Sequence, residues 1–252
     1  MVNKNIEKNI GKTVEWLKNK VENSGTKGLI VGLSGGIDSA VCAALMKKAF
    51  PDHSLGVILP CSSNIIDREF ALKLVEAIDI ASTEVNLSAE HESLFNKIAH
   101  SLRDHDVRGE QLTNANLKAR LRMSTIYAIA NSLNYLVIGT DNAAELFTGY
   151  FTKYGDGGVD IMPIANITKG EVYEWAEYLN VPKEIIERQP TAGLWDGQTD
   201  ENEMGTTYNM IDRYIKGEDI PKEDEKIILE LHNKSQHKRE LPSAPPVFRE
   251  GK

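Results

Sequence analysis

The stretch Gly28–Met46 reads Gly28-Leu-Ile-Val-Gly-Leu-Ser34-Gly-Gly-Ile-Asp38-Ser-Ala-Val-Cys-Ala-Ala-Leu-Met46. Its apolar start, Leu29–Leu33, has the length and composition of a buried β-strand. A turn of two glycines between serines follows, and then a run of good helix formers. A strand, a glycine turn and a helix start in succession direct backbone N–H groups and a positive dipole end toward an anion. The stretch therefore predicts an anion-binding loop at the end of a strand.

The loop matches neither of the common phosphate-binding patterns. It has no Gly-x-x-x-x-Gly-Lys-[Ser/Thr] and no Gly-x-Gly-x-x-Gly, and it carries a carboxylate at Asp38. A carboxylate beside a phosphate is favourable chiefly when a divalent cation lies between them. The structural alternative is that Asp38 or Ser39 caps the helix and the glycines form a tight turn. The sequence Ser34-Gly-Gly-Ile-Asp38-Ser39 resembles the pyrophosphate loop of the N-type ATP pyrophosphatases, which split ATP into AMP and pyrophosphate while adenylating a substrate.

Composition limits the class of protein. The 252 residues suffice for one α/β domain, and we interpret 1–252 as a single domain. Hydrophobic residues make up 41% and the net charge is −8, so we expect no nucleic-acid partner, which would normally require a basic face. No stretch has the length of a membrane span and no signal core begins the chain, so we expect no membrane partner. Cys42 and Cys61 form no disulfide framework, which favours the cytoplasm.

Strands alternate with helices along the chain, which predicts an α/β fold: an open parallel sheet with helices on both faces in a Rossmann-like three-layer arrangement. From Ser235 onward the chain is polar and contains Pro242, Pro245 and Pro246, so its composition predicts disorder. A polar loop is expected at Asp104–Gln111. The predicted strands are Leu29–Leu33, Ser54–Pro60, Ser82–Leu87 and Tyr135–Gly139, and the predicted helices are Ile6–Val21, Ala40–Phe50, Asp67–Ile78, His91–Ser101, Asn114–Leu133, Thr168–Leu179, a short one from Val181, Glu201–Lys216 and Lys222–Asn233.

A second candidate site follows the last of these strands, in Thr140-Asp-Asn142-Ala-Ala-Glu145. Ligands of open parallel sheets bind beyond the carboxyl ends of the strands, so this turn should lie beside the glycine loop. Glu145 then becomes the second carboxylate for a Mg²⁺ shared with Asp38. The alternative is a capping box, because Asn142 precedes Glu145 by three residues.

The stretch Gly149-Tyr-Phe-Thr-Lys153-Tyr-Gly-Asp-Gly-Gly-Val-Asp160 has no periodicity and is rich in glycine, which indicates a functional loop. Aromatic rings beside Lys153 suit a planar heterocycle and a nearby phosphate. The alternative is that Tyr150, Phe151 and Tyr154 fill the core while the lysine is solvated.

Four blocks in order resemble the ammonia-dependent NAD synthetases: Ser34–Ser39, Gly139–Glu145, Gly149–Asp160 and Pro190–Glu201. The resemblance covers nearly the whole chain and implies an adenine nucleotide alpha hydrolase-like fold. It implies a ligase that completes NAD biosynthesis with ATP, deamido-NAD and ammonia as substrates and Mg²⁺ as cofactor. In the reaction that the resemblance implies, the nicotinate carboxylate attacks the α-phosphate of ATP, pyrophosphate leaves, and ammonia then displaces AMP to form the amide.

The resemblance also implies roles for individual residues. Asp38 and Glu145 would hold the metal and, with Lys169, act in catalysis. The implied ATP contacts are Gly32, Leu33, Ser34, Gly35, Gly36, Ile37, Asp38, Ser39, Thr140, Lys169 and Thr191. The implied deamido-NAD contacts are Arg120, Lys153, Asp160, His237 and Lys238.

Some of these implications have a physical basis of their own. Lys169 stands at a helix start, where its charge can reach a phosphate. On the predicted helix, Arg120 faces away from Lys118 and Arg122, and only the resemblance selects it as a ligand contact. Thr191–Glu201 is interpreted as a lid that keeps an acyl-adenylate from water; the alternative is an ordinary surface loop anchored by Trp195. The pair His237-Lys238 lies in the polar tail, so we expect the tail, about 235–252, to order on binding.

Free ammonia is the expected nitrogen donor, because the synthetase blocks leave no room for a glutaminase domain and neither cysteine has an evident basic partner. The family forms homodimers, so a homodimer is expected. Three alternatives stay open: a GMP-synthetase-like amidotransferase domain, a tRNA sulfur-transfer enzyme, and a non-catalytic adenine-nucleotide-binding module. The first leaves Gly149–Asp160 unexplained, and the second conflicts with the acidic charge and the lack of a cysteine pair. The third would need neither a second carboxylate nor a lid.

Overall fold

The computed structural model describes residues 4–103, 109–191 and 199–246. Its sheet has four parallel strands in the order β3-β2-β1-β4. These are β1 Gly28–Gly32, β2 Ser54–Ile58, β3 Ala81–Glu84 and β4 Tyr135–Val137. The strand order reverses at β1, because β2 and β3 lie on one side of it and β4 on the other. Such a switch point opens a crevice beyond the carboxyl ends of the strands, where the glycine loop begins.

Twelve helices surround the sheet in the described part of the chain. They are α1 Lys4–Ser24, α2 Ile37–Ala49, α3 Ile65–Ile78, α4 Ser88–Ser101, α5 Glu110–Leu133, α6 Ala143–Thr148, α7 Lys169–Tyr178, α8 Lys183–Ile186, α9 Asp200–Met204, α10 Tyr208–Ile215, α11 Lys222–Lys234 and α12 Gln236–Arg239. Within the described ranges, no helix is long and apolar enough to span a membrane.

Side chains of the central strand alternate between two apolar clusters, as the pleat of a strand requires. Leu29 and Val31 pack in the cluster formed with α1, α2 and α7, whereas Ile30 belongs to the cluster on the α5 side. A third cluster joins α6, α10 and α11 through residues such as Ala144, Ile211 and Ile228. The predicted α/β fold, a parallel sheet between two helical layers, is confirmed.

Three local expectations were wrong. Glu201–Lys216 is two helices, since Gly205 at φ 73° ends α9 and the Thr207 side chain caps α10. The polar tail is helical at Gln236–Arg239, because its side chains find distant partners that composition does not reveal. The loop expected at Asp104–Gln111 gives way to α5 from Glu110, and residues 104–108 lie outside the described residues.

Candidate active site

The glycine loop is held together by its two serines. The Ser39 hydroxyl donates to the Gly36 carbonyl (2.9 Å), and Ser39 Oγ accepts from the Ser34 N–H (3.3 Å). The Gly36 N–H donates to Ser34 Oγ (3.2 Å). Gly36 is also the N-cap of α2, and no described side chain caps this helix. The alternative in which Asp38 or Ser39 serves as the cap is therefore wrong, and the helix N-terminus is open to an anion.

Gly35 fixes the path of the loop over α3. Its φ is +76°, and a Cβ there would lie 2.4 Å from the Asp67 carbonyl oxygen, so only glycine fits without strain. Arg188 stabilises the contact between Gly35 and Asp67, because it donates to the Gly35 carbonyl (3.3 Å) and forms an ion pair with the Asp67 carboxylate. The loop is thus set by both its own hydroxyls and a neighbouring helix.

A lysine joins the two predicted carboxylates. Lys169 Nζ lies 2.6 Å from Asp38 Oδ2 and 3.4 Å from Glu145 Oε1. The lysine side chain is 3% exposed, against 18% for Asp38 and 12% for Glu145. Three ionisable groups therefore meet in a largely buried place, where electrostatic interactions are stronger than in water. The structure brings together the three residues predicted to be catalytic.

The capping box expected as an alternative role for Glu145 is present together with this cluster. Glu145 Oε2 accepts the Asn142 N–H (3.1 Å), and Asn142 Oδ1 accepts the Glu145 N–H (3.1 Å). The other Glu145 oxygen points to the lysine. The Asn142 amide also donates to Asp38 Oδ1 (2.9 Å), so one residue ties α6 to the glycine loop.

The protonation equilibria follow from this burial. Burial raises the pKa of Glu145 to about 7, assisted by the Asp38 charge and opposed by Lys169 and by the Asn142 N–H. Burial alone would lower the pKa of Lys169, but the charges of Asp38 and Glu145 outweigh it, and the net shift is upward. The lysine therefore stays an ammonium, while the Glu145 carboxyl can hold a proton near neutral pH.

Four residues beside the cluster were not singled out from the sequence. Tyr208 and Asp212 on α10 contact Glu145 and Lys169, and Asp200 on α9 contacts Tyr208. Asp141 is 4% exposed, and its Oδ2 has no hydrogen-bond partner among the described residues. Burial raises the pKa of this carboxyl well above its usual range. Asp141 stands at a strand end and Asp200 lies in the block Pro190–Glu201, signals that could have identified both; Tyr208 and Asp212 had no local signal.

A cavity of about 750 Å³ lies at the carboxyl ends of the strands. Ten of the eleven predicted ATP contacts line it, the exception being Gly35. Glu145 and Lys238 line it as well, and so does Arg122, the neighbour of the predicted Arg120. Of the predicted lid, Thr191 lines the cavity and Thr199 caps α9, whereas residues 192–198, including Trp195, lie outside the described residues.

Four of the five predicted deamido-NAD contacts lie outside this cavity lining. Arg120 is exposed and donates to the Lys153 carbonyl (3.4 Å). The Lys153 ammonium donates to the carbonyls of His237 and Glu240 in the C-terminal segment. The Asp160 carboxylate accepts from the Tyr127 hydroxyl (3.0 Å) and the Val137 N–H (2.8 Å).

The glycine loop lies at the switch point of a parallel sheet and leads into a helix without a side-chain cap, with two carboxylates and a lysine beside it. This arrangement is typical of nucleotide-binding α/β enzymes. The comparisons with known proteins specify the family. The NAD synthase family model matches residues 9–242, so the chain belongs to the NAD synthase family. The predicted resemblance is thereby confirmed.

Individual relatives agree with this assignment. The chain is 56% identical over 246 residues to the NH(3)-dependent NAD(+) synthetase of Alkaliphilus oremlandii, covering 96% of this chain and 98% of the relative. The solved structure of an NMN synthetase from Francisella tularensis is similar with a TM-score of 0.89 and 40% identity, covering 96% and 99% of the two chains. An NH3-dependent NAD synthetase from Campylobacter jejuni reaches a TM-score of 0.76 at 27% identity, with the same coverage of 96% and 99%.

Proposed function

We propose that this chain catalyses the ATP-dependent amidation of deamido-NAD with ammonia, giving NAD, AMP and pyrophosphate. The observation that supports this most directly is that Asp38, Glu145 and Lys169 lie together beside the glycine loop and the uncapped N-terminus of α2. The chain is also a member of the NAD synthase family. Adenylation places negative charge on the leaving pyrophosphate, and N–H groups with a fixed ammonium stabilise such charge. The residues Gly32–Ser39, Thr140, Lys169 and Thr191 are assigned to ATP.

The carboxylates of Asp38 and Glu145 are assigned to a Mg²⁺ ion. They suit it, because both carboxyl groups line the cavity and each already directs an oxygen toward a positive charge, the Lys169 ammonium. Among the described residues no group of three His, Cys, Asp or Glu side chains could hold a metal. Mg²⁺ is commonly held by one or two carboxylates together with substrate phosphates. When bound, it would neutralise phosphate charge as pyrophosphate leaves.

The metal assignment is tested by Glu145→Gln. Its amide oxygen can still accept the Asn142 N–H, so the cap is kept while the charge is lost. We expect turnover to fall by about 100-fold with the fold intact. Glu171→Gln is the matched control, since Glu171 completes the capping box of α7 and does not line the cavity. Unchanged turnover in Glu145→Gln would return that residue to a capping role alone.

Deamido-NAD is assigned to Lys238 at the cavity and to Arg120, Lys153, Asp160 and His237 beyond it. The contact between Arg120 and Lys153 supports a shared surface for the part of the dinucleotide that lies outside the cavity. We further propose that this surface faces a second subunit in a homodimer. Arg120→Ala should then raise the KM for deamido-NAD and leave that for ATP unchanged. A monomer in light scattering would contradict the dimer.

Free ammonia is the proposed nitrogen donor. Burial raises the pKa of both thiols, Cys42 and Cys61, which opposes the thiolate that a glutaminase nucleophile requires. Ammonium should therefore support NAD formation, and glutamine alone should not. We propose the cytoplasm as the compartment, where both thiols would stay reduced.

The decisive assay supplies ATP, Mg²⁺, ammonium and deamido-NAD and measures NAD and pyrophosphate. If another acceptor is adenylated while no NAD forms, the substrate assignment is wrong. The likeness to the Francisella tularensis NMN synthetase favours one second candidate, the amidation of nicotinate mononucleotide. The ratio of kcat/KM for the dinucleotide and the mononucleotide decides between the two substrates.

A further inference from the structure

Helix α10 presents a buried tyrosine to the charged cluster. Tyr208 is 5% exposed, and its hydroxyl lies 2.9 Å from both Glu145 Oε1 and Asp200 Oδ2. The ring also lies against the Lys169 ammonium, which is 4.5 Å from the ring centroid. A buried phenol that contacts both members of a charged pair restricts the position of each.

The same helix holds the backbone of the lysine. Asp212, one turn after Tyr208, accepts the N–H groups of Lys169 (3.0 Å) and Gly170 (2.8 Å) at the start of α7. A carboxylate at this position satisfies two of the free N–H groups of the helix N-terminus and interacts favourably with its dipole. One face of α10 therefore supports Lys169 both at its backbone and at its ammonium.

Lys169 and Glu145 each need such support. The lysine side chain is long and flexible, and holding it in one rotamer costs conformational entropy. Glu145 has one oxygen fixed by the Asn142 N–H, so its remaining oxygen, Oε1, depends on Tyr208 and Lys169 for its direction. Catalytic groups act efficiently only when they are held close to their working geometry.

We propose that Tyr208 is a positioning residue of this active site: its hydroxyl orients Glu145 Oε1 and its ring orients the Lys169 ammonium before ATP binds. Asp212 fixes the backbone from which Lys169 extends. The assignment rests on the proposed function, because it gives Tyr208 a part in the adenylation step. It extends the set of residues needed for that step to a helix that carries none of the sequence blocks.

Tyr208→Phe tests the hydroxyl while keeping the ring. We expect kcat to fall about 10- to 100-fold, the range found when a group that orients a catalytic residue is lost. The KM for ATP should change by less than about twofold, since the lost contact aligns groups rather than binding substrate. Tyr214→Phe is the matched control on the same helix, because the Tyr214 ring packs against Phe147 and does not line the cavity, and its kcat should equal the wild-type value.

A double-mutant cycle separates positioning from a general structural role. In a Glu145→Gln background, Tyr208→Phe should reduce kcat by clearly less than it does alone, because the hydroxyl then has no carboxylate to orient at that position. Full multiplicative losses, or an unchanged kcat in Tyr208→Phe alone, would overturn the proposal. If Tyr208→Phe unfolds below the assay temperature, wild type and variant are compared at a lower temperature at which both are folded, and an equal kcat there has the same consequence.

Pyrophosphate release and NAD formation are recorded in parallel on the full-length chain. Wild type that forms no NAD refutes the proposed function, whatever the variants do. If the wild type forms NAD and Tyr208→Phe has the same kcat, only the positioning role is refuted.

Discussion

The glycine loop Ser34–Ser39 and the C-terminal segment Ser235–Glu240 both contribute to the site, but they are stabilised in opposite ways. The loop's serine hydrogen bonds all join residues within five positions of one another. The segment is bonded to groups more than eighty residues upstream: the Lys238 ammonium donates to the carbonyls of Gly149 (2.8 Å) and Phe151 (2.6 Å). A loop of the first kind is visible in sequence, and a segment of the second kind is not.

The carbonyls that the segment binds stand at the end of α6, the helix that carries Glu145. Arg239 donates to the carbonyls of Leu146 and Phe147, each at 3.2 Å. The last carbonyls of a helix have no partners within it, and basic side chains satisfy them well. The C-terminal segment therefore braces the short helix whose other end holds the Glu145 carboxyl. This brace differs from a tail that orders only when substrate binds.

The largest expected effect is that of Gly35→Ala in the glycine loop. The new Cβ would meet the Asp67 carbonyl at 2.4 Å and would force a positive φ on alanine, so we expect a loss of stability of about 3 kcal/mol. Activity should fall by more than about 100-fold, because the N–H groups that we assign to the ATP phosphates would move. Urea unfolding and steady-state turnover measure the two effects.

Gly205→Ala is the control for that variant. Gly205 has nearly the same φ, +73°, but nothing lies within 4 Å of a Cβ there. It should cost only about 1 kcal/mol, the price of the backbone conformation. Equal losses in the two variants would mean that contact with α3 does not shape the loop.

A second prediction tests the C-terminal segment Ser235–Glu240 by changing Gly149, the residue at which α6 ends. A Cβ at this residue would lie 2.1 Å from the Ser235 Cβ, and its φ is +70°. Gly149→Ala should therefore displace the segment and cost about 2 kcal/mol, again compared with Gly205→Ala. Hydrogen exchange of residues 235–240 in the absence of substrates is the direct measurement. Equal exchange in wild type and variant would favour a tail that orders on binding.

These two regions also indicate how much could be predicted from the sequence. The parallel sheet, the loop, Asp38 and Glu145 followed from local patterns, because strand ends and helix starts are encoded within a few residues. Helical spacing also predicted correctly that Arg120 points away from Lys118: the lysine is buried and the arginine exposed. Patterns within short stretches of sequence were therefore enough to predict where most of these side chains lie.

What could not be predicted depends on long-range partners. Tyr208 contacts a residue 63 positions away and Arg239 one 93 positions away, and no spacing in the chain announces either contact. The polar composition of the tail favoured disorder, yet its cations find the free carbonyls of α6. A segment whose composition predicts disorder can therefore be ordered when its side chains hydrogen-bond to backbone carbonyls in another part of the chain.

A third prediction isolates the arginine of the brace. Arg239→Ala removes two hydrogen bonds from the end of α6, so we expect a loss of about 1.5 kcal/mol in the free energy of unfolding. Turnover should fall severalfold, because Glu145 belongs to the same six-residue helix. Arg213→Ala is the control: it breaks an exposed ion pair with Glu218 and should cost less than about 1 kcal/mol. Arg239→Lys should restore part of the loss, and identical behaviour of the two alanine variants would contradict the brace.

The last prediction concerns pH and the place where the glycine loop and α6 meet. Burial, assisted by the Asp38 charge, raises the pKa of Glu145 from 4.5 to about 7, so between these values the folded chain holds a proton that the unfolded chain has lost. The free energy of unfolding should therefore fall as pH rises through this window, without Mg²⁺. Glu145→Gln cannot titrate and should lack this component. Parallel pH profiles for wild type and Glu145→Gln, from urea unfolding in EDTA, would show that the Glu145 carboxyl is less buried in solution than in this structure.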